Sequence, residues 1–315
     1  MFQRTIKNSI SLTGVGIHSG APVTLTLTPA SIDHGLVFQR TDLAAGQNEI
    51  PALWSYVTDT KLCTKISNSA GASVGTIEHL ISALSAQKVD NILIKLDGPE
   101  VPIMDGSAQP FWDLIEEAGI ETQTAARSYI KVLKKVKIEG AGDTWAEIRP
   151  TAAPCLSVHY TFRNRALETL ETYQSDDVLA DFQENLAAAR TFGFLEEVEK
   201  LRQMGLAKGG SLENAVVFDQ GKILNTEGLR FSDECARHKA LDVVGDLYLA
   251  GFPLVGAFEG YCSGHALNNA LIRKVLNDKS AWTLETKPHL QKPSSPTFPL
   301  KNKDLSDPAP RFGTY

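Results

Sequence analysis

Two stretches decide how this chain is read: "EHLISALSAQKVDNILIKL", residues 78–96, and "RHKALDVVGDLYLAGFPLVGAF", residues 237–258. Across the start of the first, Ile77 just before it and Leu80, Ile81 and Leu84 within it recur at helical spacing. In the second, Ala240, Leu241, Val243, Val244, Leu247, Tyr248 and Leu249 cover most of a helix circumference. Each helix then passes through a short loop into an apolar strand. His79 and His238 hold the same place in the two stretches, 159 positions apart. Downstream, "DGSAQPFWDLIEEAG" and "SGHALNNALIRKVLN" both start an amphipathic helix, with Gly106 and Ala108 matching Gly264 and Ala266 at an offset of 158. Upstream, "VTLTLTP" with "GLVFQRTD", and "WAEIRP" with "LSVHYTFRN", read as strand pairs around polar turns. Their first strands close at Pro29 and Pro150, 121 positions apart.

Self-similarity at so long a period predicts an α+β protein made of two duplicated β/α two-layer sandwich domains. Packing the helices of the two copies face to face would put a site between them. The expected boundaries are 1–125 for the first domain, 126–286 for the second and 287–315 for a Pro-rich, extended or disordered tail that holds six of the fifteen prolines. The unequal offsets call for about 38 extra residues in the second copy, placed at about 192–222.

With 315 residues and 43% hydrophobic content, the chain can bury sizeable cores. A net charge of -6 and the lack of a basic stripe speak against a nucleic-acid partner. "MFQRTIKNSISLTG" lacks an apolar signal region and no window suggests a transmembrane segment, so a cytoplasmic location is expected. The four cysteines are scattered without a C-x-x-C pair, which favours bland thiols.

Within the second stretch His238, Asp242 and Asp246 stand four residues apart, which aligns them along one side of a nearly buried helix. With 37 acidic residues and seven histidines, about 0.8 H-x-x-x-acid pairs arise by accident, so the spacing alone fits a buried ion pair as well as a metal site. The equivalent His79 adds a third ligand, and two imidazoles with one carboxylate leave an open position of the kind a catalytic zinc keeps. Thr76 is the expected N-cap of the His79 helix. Glu78, near that helix N-terminus, would be held ionised and suited to take a proton from water, or would merely complement the helix dipole. His265 stands where the first copy has Ser107, and Asp246 could orient and charge it so that it stabilises an oxyanion or protonates a leaving amine. His18, His34, His159 and His289 have no comparable setting and read as structural or solvent-facing.

The combination "TGVGIHSG", "TIEHL", "PEVPIMDGSA", "ARTFGF", the Arg237–Leu247 segment and "SGHALNN" resembles the UDP-3-O-acyl-N-acetylglucosamine deacetylases over roughly residues 2–285. These are zinc amidases of lipid A synthesis in Gram-negative bacteria. The resemblance implies one Zn2+ per chain on His79, His238 and Asp242, Glu78 as general base, and His265 as electrostatic catalyst or general acid with Asp246 as its partner. It implies Thr191 at the oxyanion and Lys239 at the substrate diphosphate. Leu195, Val198, Ala207, Ser211 and Val217 would line an acyl passage, unless they only cover their own sheet. Phe162, Phe192 and Cys63 join the substrate-binding set, Cys63 as a thiol near the metal with no catalytic role. A regulatory protease at the C-terminal tail is left open as a partner. The chain departs from the family pattern where basic residues are usual, at Thr144 and Cys262, and where F-x-H-P becomes "FRNR". Arg163 and Arg165 would then replace the missing cations or serve only to solubilise a loop. A zinc amidase for another acylated amine and a non-catalytic ion-pair network are the competing readings.

Overall fold

A computed structural model describes residues 1–153 and 155–286, so the expected tail at 287–315, and any protease that would act on it, lie outside the described residues. The chain begins with β1 (Phe2–Ile6), β2 (Ile10–Val15), β3 (Pro22–Pro29), β4 (Leu36–Arg40) and β5 (Glu49–Pro51). Three short strands follow, β6 (Val57–Asp59), β7 (Lys65–Ser67) and β8 (Ser73–Val74), and then α1 (Glu78–Ala86), β9 (Ile92–Leu96), α2 (Gln109–Ala118) and β10 (Ile120–Ala126). The series restarts with β11 (Tyr129–Val132), β12 (Val136–Glu139), β13 (Trp145–Arg149), β14 (Leu156–Asn164) and β15 (Thr169–Ser175). After α3 (Phe182–Asn185) come β16 (Phe192–Phe194), α4 (Leu195–Gln203), β17 (Val216–Asp219) and β18 (Lys222–Ile223). The described chain closes with α5 (Glu234–Tyr248), β19 (Leu254–Tyr261), α6 (His265–Asn277) and β20 (Trp282–Glu285).

The expected α+β class holds, and the repetition extends to strand order. The first sheet runs β2-β3-β9-β4-β5. In the second, β12 pairs β13, β13 and β14 both pair β19, and β15 pairs β14. In both sheets the strand after the His-bearing helix lies antiparallel to one neighbour and parallel to the other. The strand pairs read from sequence therefore need correction: β3 does not pair β4, nor β13 β14. The more apolar β9 and β19 take the central place between them, hydrogen-bonded along both edges, although β9 still alternates buried and partly exposed residues like its neighbour β3. Val23, Leu25 and Leu27 of β3, Ile92, Ile94 and Leu96 of β9, and Val158, Tyr160 and Phe258 opposite them in the second sheet all point inward. Each such side chain contributes roughly 1.5–3 kcal/mol of burial. Antiparallel pairing of each copy's first and last strands repeats as well, β1 with β10 and β11 with β20.

The helices meet between the sheets, and one continuous apolar core runs through both. The closest approach is at Gly245 on α5, where a Cβ would lie 2.3 Å from the Glu78 carbonyl oxygen. No side chain fits there, and the bare backbone lets α1 and α5 cross almost in contact. The second-copy insert contains β16, β17, β18 and α4, the helix ending before Gly205 in the left-handed region. The first copy has an insert of its own, the three-stranded sheet β6-β7-β8, which the sequence reading missed. The expected Thr76 cap is also absent. Thr76 sits at φ 56° and donates its hydroxyl to Glu100, while Ile77 occupies the cap position without a side-chain bond. Among the described residues no helix is long and apolar enough to cross a membrane.

Candidate active site

α5 is anchored before it presents its side chains. Glu171 of β15 accepts the backbone N–H groups of Cys235 and Ala236 at 3.0 and 3.2 Å, capping the helix, and buried Arg190 pairs Glu234 at 2.9 Å. From this fixed start His238, Asp242 and Asp246 point toward α1, all about 2% exposed. The first turn of α1 supplies Glu78 and His79, and the first residue of α6 supplies His265. The side chains expected from His79, His238 and Asp242 thus converge, with one ligand atom of each within 4.8 Å of the others.

Several features suit this trio to a metal ion. His238 Nδ1 lies 3.0 Å from the Ala189 carbonyl, which can only accept, so the proton sits on Nδ1 and the Nε2 lone pair is free. That Nε2 lies 3.5 Å and His79 Nε2 3.8 Å from Asp242 Oδ1. Ligand atoms around a tetrahedral zinc lie roughly 3.3–3.6 Å apart. Asp242 Oδ1 is buried without a hydrogen-bond donor, a costly state unless a cation completes it. Burial lowers the His79 pKa to about 3, helped by its neighbour His238, and burial lowers that of His238 too. Both imidazoles are therefore neutral, as ligation requires. Burial opposes ionisation of Asp242, but the Lys239 ammonium 2.7 Å from Oδ2 and the surrounding His238, His265 and His79 together outweigh it and hold the carboxyl well below its usual range.

Next to the trio stands an acid–base pair. Burial pushes Glu78 up to about 7, against the lowering influence of His265. Glu78 is therefore not held firmly ionised by the helix terminus as expected, because its desolvation is the larger effect. Burial disfavours charge on His265, yet Asp246, then Glu78 and Asp242, raise it to about 9. Its Nδ1 donates to Asp246 Oδ2 at 2.9 Å, while Nε2 faces Glu78 Oε1 at 3.8 Å. Asn268, one helical turn along α6, donates to the same Asp246 oxygen at 2.9 Å. An ionisable base near neutrality and a cationic imidazole on either side of one point can move a proton in and out.

Glu78, His79, His238, Asp242 and His265 lie on the wall of a cavity of about 450 Å³, which residues of the second-copy insert also line. Cys63, Thr191, Phe192, Leu195, Val198, Ala207, Ser211, Val217 and Lys239 line it, as do the unforeseen Ile17, His18 and Leu62 from the first copy. His18 was read as structural or solvent-facing, and the sequence held only its place in "TGVGIHSG" as a signal. Burial pushes the Cys63 thiol up to about 12, so it stays protonated. Phe162, Arg163 and Arg165 are not on this wall. Phe162 packs on Phe192 at 5.1 Å between ring centres. Arg163 binds Asp143 at 2.8 Å and the Tyr261 hydroxyl, and Arg165 binds Glu197 at 2.6 Å while covering the Phe194 ring. Glu171, Asn268 and the Ala189 carbonyl were missed; of these only Asn268, three residues after His265, left a spacing to find.

The chain is similar to known proteins over most of its length. Proteins named UDP-3-O-acyl-N-acetylglucosamine deacetylase from Actinobacillus succinogenes and Pasteurella multocida are 48% and 47% identical over 285 residues, covering 90% of this chain and 93% of each relative. One from Shewanella frigidimarina is 45% identical over 285 residues, 90% of this chain and 92% of its own. The family model described as UDP-3-O-acyl N-acetylglycosamine deacetylase matches residues 3–277, and with that extent of likeness the chain belongs to this family.

Proposed function

We propose that the chain hydrolyses the N-acetyl group of UDP-3-O-acyl-N-acetylglucosamine, giving acetate and the free amine, at a site holding one zinc ion. The observation that carries this reading is the convergence of His79, His238 and Asp242 with Glu78 and His265 at the wall of an apolar cavity. A zinc ion on the three ligands supplies, when bound, an acidified water and a Lewis acid for the amide carbonyl. Glu78 takes the proton of the attacking water through Oε1, the oxygen that faces His265. Attack on the carbonyl carbon produces a tetrahedral oxyanion. His265 Nε2–H, kept cationic by Asp246, and the Thr191 hydroxyl stabilise that charge. Collapse breaks the C–N bond, and the Glu78–His265 pair returns a proton to the leaving amine.

Leu195, Val198, Ala207, Ser211 and Val217 receive the acyl chain in this reading. Lys239, which neutralises Asp242 in the structure, turns to the diphosphate once a cation satisfies that carboxylate. Arg163 and Arg165 add charge at the outer edge. We read residues 1–125 and 126–286 as the two domains, with 192–222 as the acyl-passage insert, acting in the cytoplasm where sugar nucleotides are available. The test is acetate release from UDP-3-O-acyl-N-acetylglucosamine, abolished by chelation and restored by zinc. Metal-replete protein that releases no acetate would overturn the proposal.

A further inference from the structure

We infer that Thr64, carried by the first-copy insert, is a positioning residue that holds the proposed base and the proposed acid's partner in register. The inference rests on the function proposed above. Thr64 is 1% exposed, directly precedes β7 and does not line the cavity. Its backbone N–H donates to Glu78 Oε2 at 3.0 Å, and its hydroxyl donates to Asp246 Oδ1 at 2.6 Å. Its carbonyl accepts the Ile77 N–H at 3.4 Å, just before α1. One residue of the first copy thereby grips both the helix that carries Glu78 and the helix that carries Asp246.

The two bonds settle which oxygen does which work. A carboxylate turns easily about its last torsion, so a fixed donor on one oxygen is what aims the other. With Oε2 held by Thr64, Glu78 presents Oε1 to His265 Nε2, 3.8 Å away. With Oδ1 held by the Thr64 hydroxyl, Asp246 presents Oδ2 to His265 Nδ1 and Asn268. The carboxylate accepts three donors in a dry site, and losing one leaves a buried charged oxygen unpaired. Thr64 touches no reacting atom; it acts through Glu78 and Asp246.

Thr64→Val keeps the shape and the backbone bond to Glu78 and removes only the hydroxyl. Its kcat should fall roughly tenfold or more, the loss expected for a hydrogen bond to a charged group, with KM and zinc content close to wild type. Thr64→Ser should recover most of that loss. In an Asp246→Ala background, which removes the acceptor, Thr64→Val should cost less than about twofold, because the two changes break one bond. A role in folding alone would lower stability in both Thr64 variants, leave kcat unchanged and show no such coupling; any of those kinetic results would overturn the inference. Should Thr64→Val not fold, the wild-type protein still tests it: a slowly exchanging Thr64 hydroxyl proton must be visible by NMR, and rapid exchange would contradict the bond to Asp246. Wild-type protein that releases no acetate would count against the proposed function, whereas normal turnover by Thr64→Val in an active system would count against Thr64 alone.

Discussion

The two halves of this molecule share a strand order and a helix position but not a chemistry. At the 159-residue offset His79 answers to His238, while Glu78 answers to Arg237, Ala83 to Asp242 and Gln87 to Asp246. α1 keeps Glu78, the proposed base, and α5 keeps Asp242 and Asp246. Arg237, at the place of Glu78, binds Asp233 at 2.6 Å and covers the rings of Tyr173 and Phe231. Similarly His265 of α6 stands where the first copy has Ser107, whose hydroxyl donates to Asp105 at 2.7 Å and accepts the Gln109 N–H at 3.2 Å. Duplication supplied two helices that can cross at Gly245, and divergence put complementary groups on the facing sides. The crossing of α1 and α5 brings His79 beside His238, and the imidazole that faces Glu78 comes from a third helix, His265 of α6.

The largest expected effect separates the two equivalent positions. Glu78→Gln should reduce kcat by about 10² or more with zinc retained, as loss of a general base does. Arg237→Gln should leave kcat near wild type and lower stability by about 1 kcal/mol, its ion pair being partly exposed. Comparable kcat losses in both would mean that the copies had not divided their roles.

The next contrast is in pH dependence. Glu78 accepts a proton only when ionised, so activity rises with pH through its value of about 7; His265 serves only when cationic, so activity falls as pH passes about 9. A bound dication draws both limbs lower without changing their order. His265→Ala should remove the alkaline limb and reduce kcat, whereas Ser107→Ala should keep the whole bell. An unchanged bell in His265→Ala would move the alkaline limb to another group.

A smaller effect is expected where the helices touch. Gly245→Ala forces a Cβ against the Glu78 carbonyl and should cost about 1–3 kcal/mol of stability, seen as a lowered Tm, with weaker zinc retention because His79 and His238 move apart. Full stability would show that the crossing has room to give. The smallest effect is expected at the margin of the second copy. Replacing Arg163 and Arg165 by Gln should raise KM for the nucleotide substrate a few-fold with kcat little changed, both guanidiniums being already bound to carboxylates. An equal loss on an acyl-sugar lacking UDP would point to a folding defect.

What could be read from sequence, and what could not, divides along physical lines. The ionisable line of α5, its partner His79 and the start of α6 were legible because helical periodicity places side chains without knowledge of the tertiary fold. Central placement of β9 and β19 was not, since strand order is decided by pairing between segments far apart in the chain rather than by adjacency. The first-copy insert escaped because strands as short as Ser73–Val74 have no period to detect. Glu78 was expected to be firmly ionised because the helix terminus is visible in sequence while desolvation is not. Thr64 had no signal at all: its partner Asp246 is 182 residues away.

The most direct test of a single centre shared by the two helices is the zinc content of purified wild-type, His79→Ala and His238→Ala protein. One zinc per chain in wild type, and its loss from both variants, is the expected result, because each copy contributes an indispensable ligand. Two zinc ions per chain, or full occupancy in either variant, would contradict a site assembled between the copies.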